Sequence, residues 1–156
     1  RRTHWGQDVS DTLDDWVEHL QSEIDEQTRA DYGEAAFQRW KNPLYMGGMP
    51  DVDGHGRVTG TCGDTMDMFL KFDQDRVAKA SFLTDGCGAS AVCGSFAAEM
   101  AHGCTMEELM NLGGEKILAR VGDIPQEDHH CAFLAAATLQ AALEDYLAAR
   151  NKIAGV

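Results

Sequence analysis

The sequence predicts an α+β fold in which a three-stranded antiparallel sheet packs against several helices, with an extra amphipathic helix at the N-terminus. Three short runs of strand-like composition, residues 57–62, 66–72 and 77–83, follow one another with breaks short enough for hairpins. Helical periodicity prevails from about residue 90 onward. Because no helix separates the strands, a parallel sheet is disfavoured and a meander with helices against it is favoured.

The N-terminal helix is predicted from apolar residues that recur at helical spacing after a Ser-Asp start at residue 10. They are Leu13, Trp16, Val17, Leu20 and Ile24. Residues 1–33 hold three Arg and nine Asp or Glu, a net charge of −6. We interpret residues 1–31 as an acidic helical extension and residues 32–156 as the main domain. A solvated helix face is the simpler interpretation of this charge, and a docking surface for a basic partner is the alternative.

The other helices follow from start and stop signals in the chain. A helical stretch over residues 32–40 ends before Pro43, because proline disfavours helix in the residue that precedes it. Thr105 and Glu108 have the spacing of a capping box, which begins a short helix ending near Gly113. The remaining predictions are a loop rich in Gly and Pro at 43–56 and helices at 91–102, 116–121 and 130–150.

Composition excludes several classes of protein. The chain has 156 residues, 44% of them hydrophobic, which suits one ordinary core. Its formal net charge of −13 argues against binding to nucleic acid or to anionic membrane. No run approaches the roughly 18 apolar residues of a membrane span, and no apolar signal core is present, so a cytoplasmic location is predicted. Five cysteines without a CxxC pair favour metal or thiol chemistry over a disulfide framework.

Three of the cysteines lie at the ends of predicted elements. Cys62 ends the first strand, Cys87 follows the third strand in a glycine turn, and Cys131 lies in the first turn of the last helix. A thiolate at a helix N-terminus is stabilised by the helix dipole, which suits Cys87 and Cys131 to bind metal or carry sulfur. Asp64 and His130 would add one oxygen and one nitrogen ligand at the same edge.

These segments resemble a known family. The stretches "TCGD", "DGCGAS" and "HHCAFLAAA" resemble the three cysteine motifs of the IscU and NifU type iron–sulfur cluster assembly scaffolds. Upstream, "YGEAAFQRWKNPLYMGG" is similar to the opening helix of that family and its Asn-Pro turn. The resemblance covers residues 32–150, and it has the motifs in the right order, with 25 residues from Cys62 to Cys87 and 44 from Cys87 to Cys131.

The resemblance implies an IscU/SufE-like fold and a set of metal ligands. The ligands carried over from the family are Cys62, Asp64, Cys87, His130 and Cys131. The implied function is a scaffold without turnover of its own, which receives sulfur from a cysteine desulfurase, binds iron and builds a transient [2Fe-2S] cluster for acceptor apoproteins. Three thiolates with one harder oxygen or nitrogen ligand would hold such a cluster loosely. Ferredoxin and chaperones are further implied partners, zinc is an alternative occupant of the purified protein, and a homo-oligomer stays open.

The sequence departs from the family before the third cysteine motif. Many members have Leu-Pro-Pro-Val-Lys there, a chaperone recognition element, whereas this chain reads "IPQEDHHC" and places Asp128 where the lysine would fall. Two cysteines also lie outside the family's ligand positions. We interpret Cys93 as a small buried core residue and Cys104 as an accessible or half-buried thiol.

Two other functions fit the same residues. A zinc-dependent sulfurtransferase of the SufU type would hold zinc with the Cys, Asp and His set and use one cysteine as nucleophile. SufU proteins carry an insertion between the second and third motifs, and the interval from Cys87 to Cys131 is too short for it. A structural zinc or thiol module that acts through the acidic extension is the third interpretation, in which Asp64 would be dispensable.

Overall fold

The predicted sheet is present, with antiparallel strands in the order β1-β2-β3. The strands are β1 (Gly54–Thr59), β2 (Thr65–Asp73) and β3 (Arg76–Thr84). The computed structural model describes the backbone of residues 2–86 and 88–153 and the side chains of residues 12–86 and 88–152. Thr65 pairs with Thr59 and Met66 pairs with Thr84, so the start of β2 and the ends of β1 and β3 lie together at one end of the sheet.

The described residues also form helices, and two of them cover the inner face of this sheet. The helices are α1 (Arg2–Lys41), α2 (Gly88–Ala101), α3 (Met106–Met110), α4 (Gly114–Val121) and α5 (His130–Ile153), with a 3₁₀ turn (Gln126–Asp128) before α5. Alternate residues of a strand point to the same side, and the inward-facing Met66, Met68, Leu70 and Phe82 are fully buried. α5 contacts β1 and β2, and α2 contacts β3. The predicted α+β class is confirmed.

β1 differs from its predicted bounds of 57–62. It begins at Gly54 within the predicted loop and ends three residues before Cys62. A Cβ on Gly54 would lie 2.4 Å from the Ala142 carbonyl oxygen, and one on Gly56 would lie 2.5 Å from the Ala142 nitrogen. These glycines therefore let β1 lie directly on the backbone of α5. The sequence prediction placed them in a loop because glycine usually indicates one.

The capping box predicted at α3 is confirmed. The Glu108 N–H donates to Thr105 Oγ1, and the Thr105 N–H donates to Glu108 Oε1, both at 3.2 Å. The two reciprocal bonds satisfy donors that would otherwise lack partners at the helix start. Within the part of the chain that the structure describes, no helix combines the length and apolar character needed to cross a bilayer.

α1 joins the two predicted N-terminal helical stretches but is broken at Gly33, whose φ of 80° and ψ of 166° are not helical. Sixteen residues of continuous helix would separate Asp25 from Lys41 by about 24 Å. Instead the Lys41 Nζ lies 2.9 Å from Asp25 Oδ2, and the Arg29 Nε lies 2.7 Å from Glu34 Oε2. The chain therefore folds back at Gly33, and two ion pairs fix the first part of α1 against the second.

Candidate functional site

Cys62 lies in a tight turn between β1 and β2. The Gly60 N–H donates to the Asp64 carbonyl at 2.9 Å, and the Gly63 N–H donates to the Gly60 carbonyl at 3.0 Å. Gly63 has a φ of 89°, which residues with a Cβ rarely adopt. A Cβ on Gly60 would lie 3.7 Å from the Cys62 sulfur and 3.5 Å from Leu134 of α5. The turn thus lies against the start of α5, with Cys62 exposed to solvent.

His130 and Cys131 begin α5. The Cys131 side chain is fully buried, whereas His130 is exposed. The Cys131 Sγ and the His130 Nε2 lie 3.6 Å apart. Backbone amides at a helix start and the positive end of the helix dipole stabilise a thiolate. The first turn of α5 therefore presents one soft sulfur and one imidazole nitrogen side by side.

Ser90 of α2 contacts both Asp64, which follows the Cys62 turn, and Cys131 at the start of α5. Its hydroxyl oxygen lies 2.9 Å from Asp64 Oδ2 and 3.4 Å from Cys131 Sγ, and the side chain is fully buried. A serine hydroxyl has a single hydrogen, so Ser90 can donate to only one of these two groups at a time. Two groups that are 67 residues apart in the chain are therefore brought together by one buried hydroxyl.

Cys87 lies outside the described residues, but both of its neighbours are described. A Cβ on Gly86 would lie 2.6 Å from Asp64 Oδ2 and 2.8 Å from the Ser90 hydroxyl. A Cβ on Gly88 would lie 2.4 Å from the ring of Trp40. Because neither residue has a Cβ, Asp64 and Ser90 lie directly against the Gly86 backbone, and Trp40 lies directly against Gly88.

Two aromatic residues of α1, Tyr32 and Trp40, reach the segments on both sides of the site. The ring of Trp40 lies on Gly88, and the ring of Tyr32 packs edge-on against Trp40 at a centroid distance of 5.0 Å. The Tyr32 hydroxyl donates to Asp128 Oδ2 at 2.6 Å, just before the His130 and Cys131 pair. Asp128 is therefore an acceptor that ties α1 to the segment leading into α5.

The structure brings Asp64, Cys131 and His130 into one neighbourhood, with the Cys62 turn beside it. Among the residues that the structure describes, which exclude Cys87, no group of three or more His, Cys, Asp and Glu side chains is placed to hold a metal ion. The five-residue ligand set stays a prediction.

Cys93 and Cys104 are placed as predicted. Cys93 is fully buried within the core side of α2. Cys104 is half-buried, and its sulfur donates to the Met100 carbonyl at 3.2 Å. Burial, with the Glu108 carboxylate nearby, raises the pKa of the Cys104 thiol. A raised pKa leaves little thiolate at neutral pH, so Cys104 is a poor nucleophile.

Sequence reasoning missed three residues that shape the site, namely Ser90, Trp40 and Tyr32. Ser90 lies inside the "DGCGAS" motif, three residues after Cys87, and this proximity was the available signal. No spacing rule pairs it with Asp64 or Cys131, because both contacts arise only when β2, α2 and α5 pack together. Trp40 and Tyr32 lie in the segment that resembles the family's opening helix, where their composition predicts packing alone.

Comparison of the sequence with known proteins identifies its family. The family described as NifU-like N terminal domain matches residues 31–153. The chain belongs to this family. An iron–sulfur cluster assembly scaffold protein, IscU 1 of Archaeoglobus fulgidus, is 35% identical over 123 residues, which cover 78% of this chain and 80% of that protein. The scaffold protein IscU of Aquifex aeolicus is 29% identical over 126 residues, covering 79% of this chain and 80% of the relative.

The NifU-like N-terminal fold is also found among solved structures. A crystal structure titled as a putative iron–sulfur cluster assembly scaffold protein for the SUF system, from Fervidobacterium islandicum AW-1, superposes with a TM-score of 0.61. The match covers 74% of this chain and 98% of that one, at 19% sequence identity. At that identity the likeness establishes the shared fold.

Replacing Ser90 by alanine is expected to weaken iron binding while the protein stays folded. The change removes the hydroxyl that contacts two predicted ligands, Asp64 and Cys131, and loss of such a supporting group typically lowers metal affinity about 10- to 100-fold. Anaerobic titration with Fe²⁺ measures the affinity, and urea unfolding measures stability.

Thr138→Val provides the matched control for Ser90→Ala. Thr138 is equally buried, but its hydroxyl donates only to the Leu134 carbonyl of its own helix, at 2.7 Å. Iron affinity that falls equally in both variants would show that loss of a buried hydroxyl, rather than the Ser90 contacts, is responsible.

Proposed function

We propose that this protein is a scaffold on which an iron–sulfur cluster is assembled from iron and sulfur and then passed to acceptor proteins. The observation that carries the proposal is the contact of Ser90 with both Asp64 and Cys131, at 2.9 Å and 3.4 Å. Because Ser90 lies in the second cysteine motif, Asp64 in the first and Cys131 in the third, that contact joins all three motifs. The relatives named as cluster assembly scaffolds support the same role.

The proposed cargo site has ligands of unequal strength. Thiolates of Cys62, Cys87 and Cys131 would hold iron strongly, because iron in a cluster prefers soft sulfur ligands. Asp64 or His130 would complete the set with a harder oxygen or nitrogen. A cluster with one weaker ligand is easier to release than one held by four thiolates, and release is what a scaffold requires.

Sulfur would arrive from a cysteine desulfurase as a persulfide. A thiolate of the site attacks the terminal sulfur, a new S–S bond forms, and the thiolate of the desulfurase leaves. Two electrons per sulfur, supplied by ferredoxin in this proposal, cleave that bond and release sulfide to iron. Cys62 suits first contact with a sulfur donor because it is exposed in the β1–β2 turn.

Exchange of Asp64 for cysteine is expected to convert a labile cluster into a retained one. The variant offers four thiolates, so transfer to an apo-acceptor should slow about tenfold or more, a rise of about 1.4 kcal/mol in the barrier. Anaerobic reconstitution with iron and sulfide, followed by transfer to an apo-ferredoxin under visible spectroscopy, measures this rate.

Asp73→Cys is the matched control for Asp64→Cys. It introduces the same side chain at the opposite end of β2, away from the site, and should transfer at the wild-type rate. A wild-type protein that stays colourless on reconstitution and holds zinc, while accelerating a desulfurase catalytically, would contradict the scaffold and indicate a sulfurtransferase.

A further inference from the structure

The N-terminal arm, defined as residues 12–31 of α1, carries an apolar stripe that the rest of the chain does not cover. Its five members stand at i, i+3, i+4, i+7 and i+11, the spacing with which a helix fills a groove. They are Leu13, Trp16, Val17, Leu20 and Ile24, each between 37% and 60% exposed. The family match begins only at residue 31, so the stripe lies outside the shared fold.

The charge that surrounds the stripe is of one sign. Residues 12–24 contain four carboxylates and no Lys or Arg. At 100° per residue, Glu23 borders one side of the stripe, and Asp14 lies on the other side just beyond Gln21. Further along the arm, Arg29 is occupied by Glu34 and by the ring of Phe37, 4.4 Å below its guanidinium carbon. The exposed apolar face is therefore flanked by carboxylates, by Gln21 and by His19, which pairs with Glu23 at 3.2 Å, with no Lys or Arg among residues 12–24.

The negative charge of residues 12–24 distinguishes between the kinds of surface that could cover the stripe. A second copy would place four carboxylates against four, with no Lys or Arg from residues 12–24 to pair them. An anionic membrane surface would repel the same side chains. We propose that the arm docks as a helix in an apolar groove, rimmed by Lys and Arg, on a partner protein.

The arm is attached through α1 to the segment beside the candidate site. The ion pair between Asp25 and Lys41 links the arm to the second part of α1 across the Gly33 break. The second part of α1 carries Trp40, whose ring lies on Gly88 beside the Cys87 loop. A partner that binds the arm is therefore attached to α1, whose second part packs against the candidate site through Trp40.

Binding of a basic helical probe to the full chain tests the proposal. The probe is a labelled synthetic peptide with a leucine seam flanked by lysines, and fluorescence anisotropy measures its Kd. We expect micromolar binding that weakens as salt rises from about 50 to 500 mM, because the flanking charges are solvent-exposed. Leu20→Asp should raise the Kd about tenfold or more, since a helix anchor is lost.

Two matched controls make the outcome decisive. Ser22→Asp adds the same charge on the opposite face of the helix and should leave the Kd within about threefold. A peptide with glutamates in place of the lysines should not bind. Equal binding of the two peptides, or an unchanged Kd in Leu20→Asp, would overturn the proposal. Wild-type dimers in sedimentation that Leu20→Asp dissociates would assign the stripe to a second copy instead.

Discussion

Alanine at position 131 is expected to abolish cluster assembly, leaving no visible chromophore after anaerobic reconstitution with iron and sulfide. The change removes the sulfur that lies 3.4 Å from the Ser90 hydroxyl and 3.6 Å from the His130 imidazole. Since loss of a group that merely supports a ligand lowers metal affinity about 10- to 100-fold, loss of Cys131, a proposed ligand, should exceed that effect. Visible absorbance, together with the iron and sulfide content of the reconstituted protein, measures the outcome.

Cys93→Ala provides the comparison that isolates this chemistry. Cys93 is as fully buried as Cys131, and both variants delete one buried sulfur from the same core. Each should therefore lose a similar free energy of unfolding, about 1 to 2 kcal/mol. Only Cys131→Ala should lose the chromophore. A full chromophore in Cys131→Ala, or its loss in both variants, would remove Cys131 from the proposed ligand set.

The sequence allowed the sheet and the helical layer to be predicted because their signals are local. Short runs of β-branched and aromatic residues separated by turns specify a meander, and a capping box specifies the start of α3. The boundary between the two predicted helical stretches lies at residues 31 and 32, next to the break in α1, but the fold-back at Gly33 could not be predicted with the same rules. An isolated glycine is tolerated within a helix, and the ion pairs that stabilise the fold at Gly33 join residues on both sides of it.

The sequence located the motif residues within their elements but did not show the contacts between them. The helix-start positions of His130 and Cys131 followed from the periodicity of the last helix, which begins at residue 130. The role of Ser90 depends on β2, α2 and α5 meeting, and no one-dimensional pattern contains that information. The same holds for the close contacts of the glycines beside Cys87 with Asp64, Ser90 and Trp40.

Alanine at position 56 is expected to destabilise the fold more than loss of a buried cysteine sulfur does. Its Cβ would lie 2.5 Å from the Ala142 nitrogen and 2.6 Å from the Thr138 carbonyl oxygen, both backbone atoms of α5. Backbone atoms within a helix cannot rotate away as a side chain can, so β1 and α5 must separate along their contact. Overpacking of a core typically costs about 1 to 3 kcal/mol, and we expect the upper end of that range or more in Gly56→Ala.

Urea unfolding of Gly56→Ala against Gly48→Ala measures this loss. The nearest atom to a Cβ on Gly48 is a Leu83 methyl carbon at 4.0 Å, so that variant should stay within about 0.5 kcal/mol of wild type. Because α5 also carries His130 and Cys131, its displacement should reduce iron affinity in Gly56→Ala even where the protein remains folded. A Gly56→Ala protein as stable as Gly48→Ala would show that β1 and α5 are not in the close contact on which the site depends.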